Sequence, residues 1–254
     1  MATLPQGLAV LFISAASAIG QSALRHFAQR PPSPRIYTVV RPVLTASHES
    51  LQASLWRSHP DSTYNLITAD GSLVSGIGKV IDNIMQAGDK AWNSLHVGQL
   101  HSVWRPQNTK GLKLFMTTHH YSRVRRPPTA APLNNLEAKS PHVFSVLAGG
   151  LEGPLKEGNF DLRNVDKLVC LGLVGALRHH GYAGVRAARA RESAPEHCAL
   201  VPGPVGIPGL ARGAKFGMSL PLNAMNQDEP GVRALFLVTI DLYAVNGGGS
   251  PCGA

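Results

Sequence analysis

The run Leu8-Ala9-Val10-Leu11-Phe12-Ile13 passes into Ser14-Ala15-Ala16-Ser17-Ala18-Ile19-Gly20 and then into Gln21-Ser22-Ala23-Leu24. A short, continuous apolar segment ended by a stretch of small residues predicts a buried strand, a tight turn and the start of a helix. The first N–H groups of such a helix have no partner within it. With the helix dipole behind them they suit a pyrophosphate, so a nucleotide is expected to sit at this junction, against Ser14, Ser17, Ala18, Ile19 and Gly20.

After a helix expected over Gln21 to Gln29 comes Pro34-Arg35-Ile36-Tyr37-Thr38-Val39-Val40-Arg41, a β-rich run that ends in a basic residue 21 positions beyond Gly20. Dinucleotide folds place the residue that reads the ribose about 20 positions on, and a basic residue there suits the 2′-phosphate of NADP. NAD stays open as the alternative. The usual fingerprint has three glycines. Here Ser14 and Ala18 stand at the first two and only Gly20 is kept. A side chain at the turn restricts positive φ and the close approach of backbone to phosphate, so the segment also reads as an ordinary strand-turn-helix.

Further strands and helices alternate along the chain. Tyr64 to Asp70 predicts a strand, with Ser72 able to cap the helix that follows. Ile77, Val80, Ile81, Ile84 and Met85 give that helix an apolar stripe. Leu95 to Val97 predicts a fourth strand, Gly111 to Arg125 a helix stopped by Pro127-Pro128, and His142 to Leu147 a strand. Val165 to His180 reads as a buried helix, Cys198 to Val201 as a run leading into Pro202-Gly203, and Val232 to Tyr243 as a helix. The alternation implies an α/β fold of Rossmann type, three layers around a mostly parallel central sheet. Proline- and glycine-rich loops at 31–34, 127–133 and 202–209 punctuate one unit, so residues 1–254 are expected to form a single domain.

Composition narrows the function. The net charge of +9 invites a nucleic-acid reading, with Arg123, Arg125 and Arg126 in one cluster and Arg178, Arg186, Arg189 and Arg191 in another. Neither cluster is interleaved with stacking rings and aromatic residues are only 6% of the chain, which argues for a solvated basic face instead. His119-His120 and His179-His180 are adjacent pairs that point to different sides of a helix, so no metal site is expected. Gly-x-Ser-x-Gly is absent, and with 15 Asp plus Glu, paired-carboxylate chemistry is unattractive. Cys170, Cys198 and Cys252 are scattered and odd in number, which points to a reducing compartment. The first apolar run has no Lys or Arg before it and is too short to span a bilayer, so a soluble, cytoplasmic protein is expected.

Taken together, the motifs resemble the short-chain dehydrogenases/reductases, and most closely the fungal members found among secondary-metabolite biosynthetic enzymes. Ser17-Ala18-Ile19-Gly20 stands where that family's T-G-x-x-x-G-I-G ends, Ala69-Asp70 looks like its third-strand acid motif, and Pro202-Gly203-Pro204-Val205 is similar to its P-G-x-V. Tyr121 to Arg125 and Ser145 to Gly150 resemble runs of the fungal relatives, and Leu235 to Thr239 resembles the family's C-terminal helix. The resemblance implies an NAD(P)-dependent oxidoreductase that moves hydride to or from a carbonyl or alcohol of a small-molecule natural-product intermediate, often as a homo-oligomer. It also implies that Ser14 to Gly20 approach the pyrophosphate and Arg41 meets the adenosine 2′-phosphate. Asp70 would receive the adenine amino group, and Pro202, Gly203 and Val205 would line the nicotinamide side.

Carbonyl reduction needs a proton donor beside the substrate oxygen, because hydride arriving at carbon builds negative charge there. The family supplies it with Tyr-x-x-x-Lys, and no such motif occurs in this chain. Tyr182 with Arg186 approaches it but lies only 20 residues before Pro202. Val165 is the closer positional match for the tyrosine, Leu147 stands at the position of the catalytic serine with Ser145 two residues earlier, and Thr118 replaces a structural asparagine. No catalytic residue is therefore assigned, and the proton donor is expected to be water, a substrate hydroxyl or a residue not identified from the motifs. The alternative is an inactive relative that keeps the fold.

Overall fold

A computed structural model of the chain describes residues 7–16, 18–30, 33–71, 73–87, 92–97, 108–112, 117, 142–146, 196–200, 226 and 228–239. Six parallel strands form one sheet: β1 (Ala9–Ile13), β2 (Arg35–Val40), β3 (Thr63–Thr68), β4 (Trp92–Val97), β5 (His142–Val146) and β6 (Glu196–Leu200). Their spatial order is β3-β2-β1-β4-β5-β6. That is the doubly wound order of dinucleotide-binding folds, reversing direction between β1 and β4.

The central strand β1 is apolar throughout because both of its faces are covered. Val10 and Phe12 join a cluster with Ile19, Ala23, Leu24 and Phe27 of α1 (Ala18–Ala28), Leu51 and Leu55 of α2 (Thr45–Ser58), and Ala234 of α4 (Asp228–Thr239). Ala9 and Leu11 turn to the other face and pack with Tyr37, Val39, Ile67, and Val80 and Ile84 of α3 (Val74–Gln86). This alternation is the two-residue period of a strand, and it sorts α1, α2 and α4 to one side and α3 to the other. The Phe12 and Phe27 rings meet edge to face, with centroids 5.7 Å apart and planes at 60°, tying α1 to the strand it follows.

The expected elements sit close to their observed bounds. Helix α1 starts at Ala18, ahead of Gln21, because the turn is completed within the small-residue stretch. Strand β4 begins at Trp92, and α4 starts four residues earlier than Val232, with Asp228 and Glu229 in its first turn, where acids complement the helix dipole. The predicted stripe of α3 is buried at Ile77, Val80, Ile81 and Ile84. Helix α2 was not expected from the sequence. The helices expected over Gly111 to Arg125, beyond its first residues, and over Val165 to His180 lie outside the described residues, as do Ser17, Ser72 and the loop holding Pro202, Gly203 and Val205.

Candidate functional site: a cradle at the carboxyl edge of the sheet

All six strands run the same way, so the turns after β1, β2 and β3 gather on one edge. In this class of sheet, ligands bind at that edge, beside the point where strand order reverses. Register fixes the neighbours: Ile13 at the end of β1 lies opposite Val39 of β2 and His96 of β4.

The first wall of the cradle is the turn from Ser14 to Gly20. Ser14 has φ +76° and Ala18 φ +51°, both in the left-handed region that favours glycine. The two residues expected to restrict the turn thus adopt the conformation that glycine would supply. Gly20 explains part of the constraint. A Cβ built on it would stand 2.3 Å from the Ser14 carbonyl oxygen and 3.3 Å from the Ala15 Cα, so α1 can start this close to β1 only with a glycine there. The N–H groups at the beginning of α1 open onto the same edge.

Arg41 forms the second wall. It precedes Pro42, and the pyrrolidine ring pushes the preceding residue toward extended backbone, as observed with φ −68° and ψ 147°. Its carbonyl accepts hydrogen bonds from Leu44 N (2.9 Å) and from the Thr45 hydroxyl (3.5 Å), which hold the short 3-10 turn Pro42–Leu44. The backbone is therefore pinned while the Arg41 Nε, although buried, has no hydrogen-bond partner. A buried donor without an acceptor is costly, and an anion at this strand end would satisfy it.

Asp70 stands at the end of β3. The Ala69 N–H donates to the Val40 carbonyl at 3.0 Å, which carries the β2–β3 pairing past the strand and sets Asp70 beside the Arg41 segment. The Asp70 carbonyl accepts from Leu73 N at 3.0 Å, closing the turn into α3. Gly76 repeats the arrangement of Gly20, since a Cβ on it would come within 2.3 Å of the Asp70 carbonyl oxygen. Two strand-turn-helix junctions thus use the same six-residue offset, Ser14 to Gly20 and Asp70 to Gly76. Neither Gly76 nor Pro42 was singled out from the sequence. A proline directly after the basic residue, and a glycine six places after the acid, were the available signals.

The structure therefore brings Ser14, Ala18, Ile19, Gly20, Arg41 and Asp70 to one sheet edge. Ser145 is on β5 with its Cα opposite His96 and Ala199. Tyr182, Arg186, Leu147, Thr118 and Val165 lie outside the described residues. Among the described residues no group of three or more His, Cys, Asp or Glu could hold a metal ion, and no helix is long and apolar enough to cross a membrane.

Sheet order and cradle define a Rossmann-type dinucleotide fold. No family model matches the chain. It is 42% identical over 250 residues to the NmrA-like family domain-containing oxidoreductase notO of Aspergillus sp. (strain MF297-2), covering 97% of this chain and 74% of that protein. Matches to two Emericella oxidoreductases span less than half of those proteins, 46% and 44%. Among solved structures, a short-chain dehydrogenase from Sphingobium yanoikuyae in complex with NADPH superimposes with a TM-score of 0.62 at 16% identity, covering 90% of this chain and 83% of that one. YwfH, an NADPH-dependent reductase involved in bacilysin biosynthesis, gives a TM-score of 0.69 at 10% identity, covering 95% of both chains. The chain belongs to the NmrA-like oxidoreductase family to which the Aspergillus relative belongs, and its fold is that of the short-chain dehydrogenases/reductases.

Proposed function

We propose that the protein is an NADP(H)-dependent oxidoreductase acting on a carbonyl or alcohol of a small-molecule natural-product intermediate. The observation that carries this reading is Arg41, pinned by Pro42 at the end of β2 with a buried Nε that lacks a partner. A dianionic 2′-phosphate is an acceptor that suits a guanidinium carried by this pinned backbone at the strand end. The N–H groups at the start of α1 and the turn from Ser14 would hold the pyrophosphate, and Asp70 would receive the adenine amino group. Pro202, Gly203 and Val205 would line the nicotinamide side. When bound, the cofactor supplies hydride to a carbonyl carbon or takes it from an alcohol.

With no Tyr-x-x-x-Lys in the chain, the proton at the substrate oxygen comes from water, from a substrate hydroxyl or from a side chain outside that motif. The same absence favours a second reading, a relative that binds the cofactor and no longer turns it over. A single cytoplasmic domain that assembles into homo-oligomers fits either reading.

Thermal shift with NADPH and NADH tests the binding. A ligand at 100 times its dissociation constant stabilises a fold by roughly 2.7 kcal/mol. The expected result is saturable stabilisation by NADPH, weaker with NADH, and lost in Arg41→Glu. No shift with either cofactor at millimolar concentration removes both readings. NADPH binding without oxidation across a panel of ketones and aldehydes selects the second.

A further inference from the structure

We infer that His96, next to last in β4, is the proton donor of this chain, and that Ser145, next to last in β5, holds the substrate oxygen beside it. This rests on the oxidoreductase reading above and fills the role that reading leaves to a side chain outside Tyr-x-x-x-Lys. Register carries the inference. An unbroken row crosses the sheet near its carboxyl edge: Ile67, Val39, Ile13, His96, Ser145 and Ala199, each Cα opposite the next. Residues in register on parallel strands share a face, and a sheet covered on both faces is apolar along such a row. Ile67, Val39, Ile13 and Ala199 obey. The two that do not are adjacent, one an imidazole and the other a hydroxyl, and they lie on β4 and β5 beside the reversal of strand order, where ligands of these sheets bind.

The level of the row along the strands matters as much as its composition. Ile13 is the last residue of β1, so His96 stands level with the residue that leads directly into the turn at Ser14. On this face Ala9 and Leu11 are buried but Ile13 is half-buried, so the sheet opens toward its edge at the row that holds His96. Among the described residues around it on β1, β5 and α3, none that shares this face is charged: Ile13 and Ser145 flank it, Ile77 and Ile81 pack against Ile13, and Lys79 and Asp82 of α3 are exposed. Neighbouring parallel strands lie about 4.8 Å apart, which lets groups borne on these two Cα atoms meet one substrate oxygen. An imidazole changes charge between about pH 5 and 8, so it can give up a proton and recover it from solvent at neutral pH. In the reducing direction, hydride from bound NADPH arrives at the carbonyl carbon and the C=O π pair moves onto oxygen. The N–H bond of protonated His96 breaks, its proton goes to that oxygen, and the neutral ring takes a new proton from solvent. The products are the alcohol and NADP+. Oxidation runs the same steps backward, with neutral His96 accepting the proton.

Isatin serves as the carbonyl probe, with NADPH oxidation followed by absorbance in the full-length parent, His96→Gln, Ser145→Ala and His48→Gln, and NADPH binding followed by thermal shift. The parent kcat/KM is expected to fall as pH rises from about 5 to 8, where an imidazole loses its proton. His96→Gln is expected to lose about 100- to 10,000-fold in kcat/KM, the range for a general acid, and to lose the pH dependence, with its NADPH shift unchanged. Ser145→Ala is expected to lose about 100-fold and to keep the profile. His48→Gln, on the opposite face of the sheet against Thr38, is expected to keep both rate and profile. Diethyl pyrocarbonate mapping of the parent needs no variant: His96 is expected to be modified at neutral pH and protected by saturating NADP+. A His96 that stays unmodified while exposed histidines react, or that reacts equally with NADP+ bound, overturns the inference and leaves the oxidoreductase reading in place. So does a parental rate and profile in His96→Gln. NADPH binding without turnover of isatin or of the ketone and aldehyde panel overturns it as well and selects the inactive relative. No NADPH binding removes the cofactor reading together with the inference.

Discussion

The Cα of Gly20 faces the carbonyl of Ser14 so closely that a Cβ there would stand 2.3 Å from the oxygen. The obstacle is main chain, which cannot swing away as a flexible side chain would. Gly20→Ala is therefore expected to destabilise the fold by roughly 1–3 kcal/mol, the usual range for forcing atoms into a packed site. Strain has to outweigh the ~1 kcal/mol that alanine gains over glycine in a helix. Urea denaturation of parent and variant decides it, and equal midpoints would mean that α1 can shift along β1 at no cost.

Helix α3 offers an internal control. Gly76 and Gly78 are two residues apart, yet a Cβ on Gly76 would collide with the Asp70 carbonyl while one on Gly78 would meet nothing within 4 Å. Propensity favours alanine at both, by roughly 0.5–1 kcal/mol relative to glycine. The expected outcome is opposite signs: Gly78→Ala raises the urea midpoint, and Gly76→Ala lowers it. Two midpoints moving the same way would show that the Asp70 turn yields to a methyl group.

Much of this framework was legible in the sequence, and the reason differs by element. Strand β1 and the turn after it could be read because a strand buried on both faces must be apolar throughout, and α3 because Ile77, Val80, Ile81 and Ile84 repeat at helical spacing. Helix α2 was not, since its buried face consists of His48, Leu51 and Leu55, with a histidine where a stripe needs an apolar residue. The cradle was half legible. Arg41 and Asp70 declared themselves by position after a strand, but the glycine-like φ of Ser14 and Ala18 is imposed by tertiary packing, against the preference of both residues. No periodicity records that override.

Gly231 of α4 abuts α1, and a Cβ on it would lie 2.4 Å from the Ser22 hydroxyl oxygen, 2.6 Å from the Ser22 Cβ and 3.0 Å from the Ala23 nitrogen. The Ser22 hydroxyl also donates to the Asp228 carbonyl at 3.5 Å, so the seam is close along the first turn of α4. Gly231→Ala is expected to cost roughly 1–3 kcal/mol. Because most of the clash is with one side chain, the cost should shrink in a Ser22→Gly background, which a double-mutant cycle on denaturation midpoints measures. Strict additivity would mean that the two helices separate rather than compress.

His48 supplies a pH dependence whose sign follows from burial. Its Nε2 lies 3.0 Å from the Thr38 hydroxyl, which also accepts from Gln52 Nε2 at 2.9 Å, while Nδ1 is buried without a partner. Burial disfavours the charged ring and lowers the pKa of His48 below the ordinary value of 6.5. Above that value neither state binds the proton and the fold keeps its full stability. As pH falls through about 6.5, the unfolded chain takes up a proton that the native ring refuses, so stability declines until the lowered native pKa is reached. The slope from this one group is bounded at roughly 1.4 kcal/mol per pH unit. His48→Gln keeps a polar contact to Thr38 but cannot titrate, so its stability between pH 7 and pH 5 is expected to fall less steeply than the parent's. Urea midpoints across that window give both slopes, and parallel lines would assign the acid sensitivity to other groups.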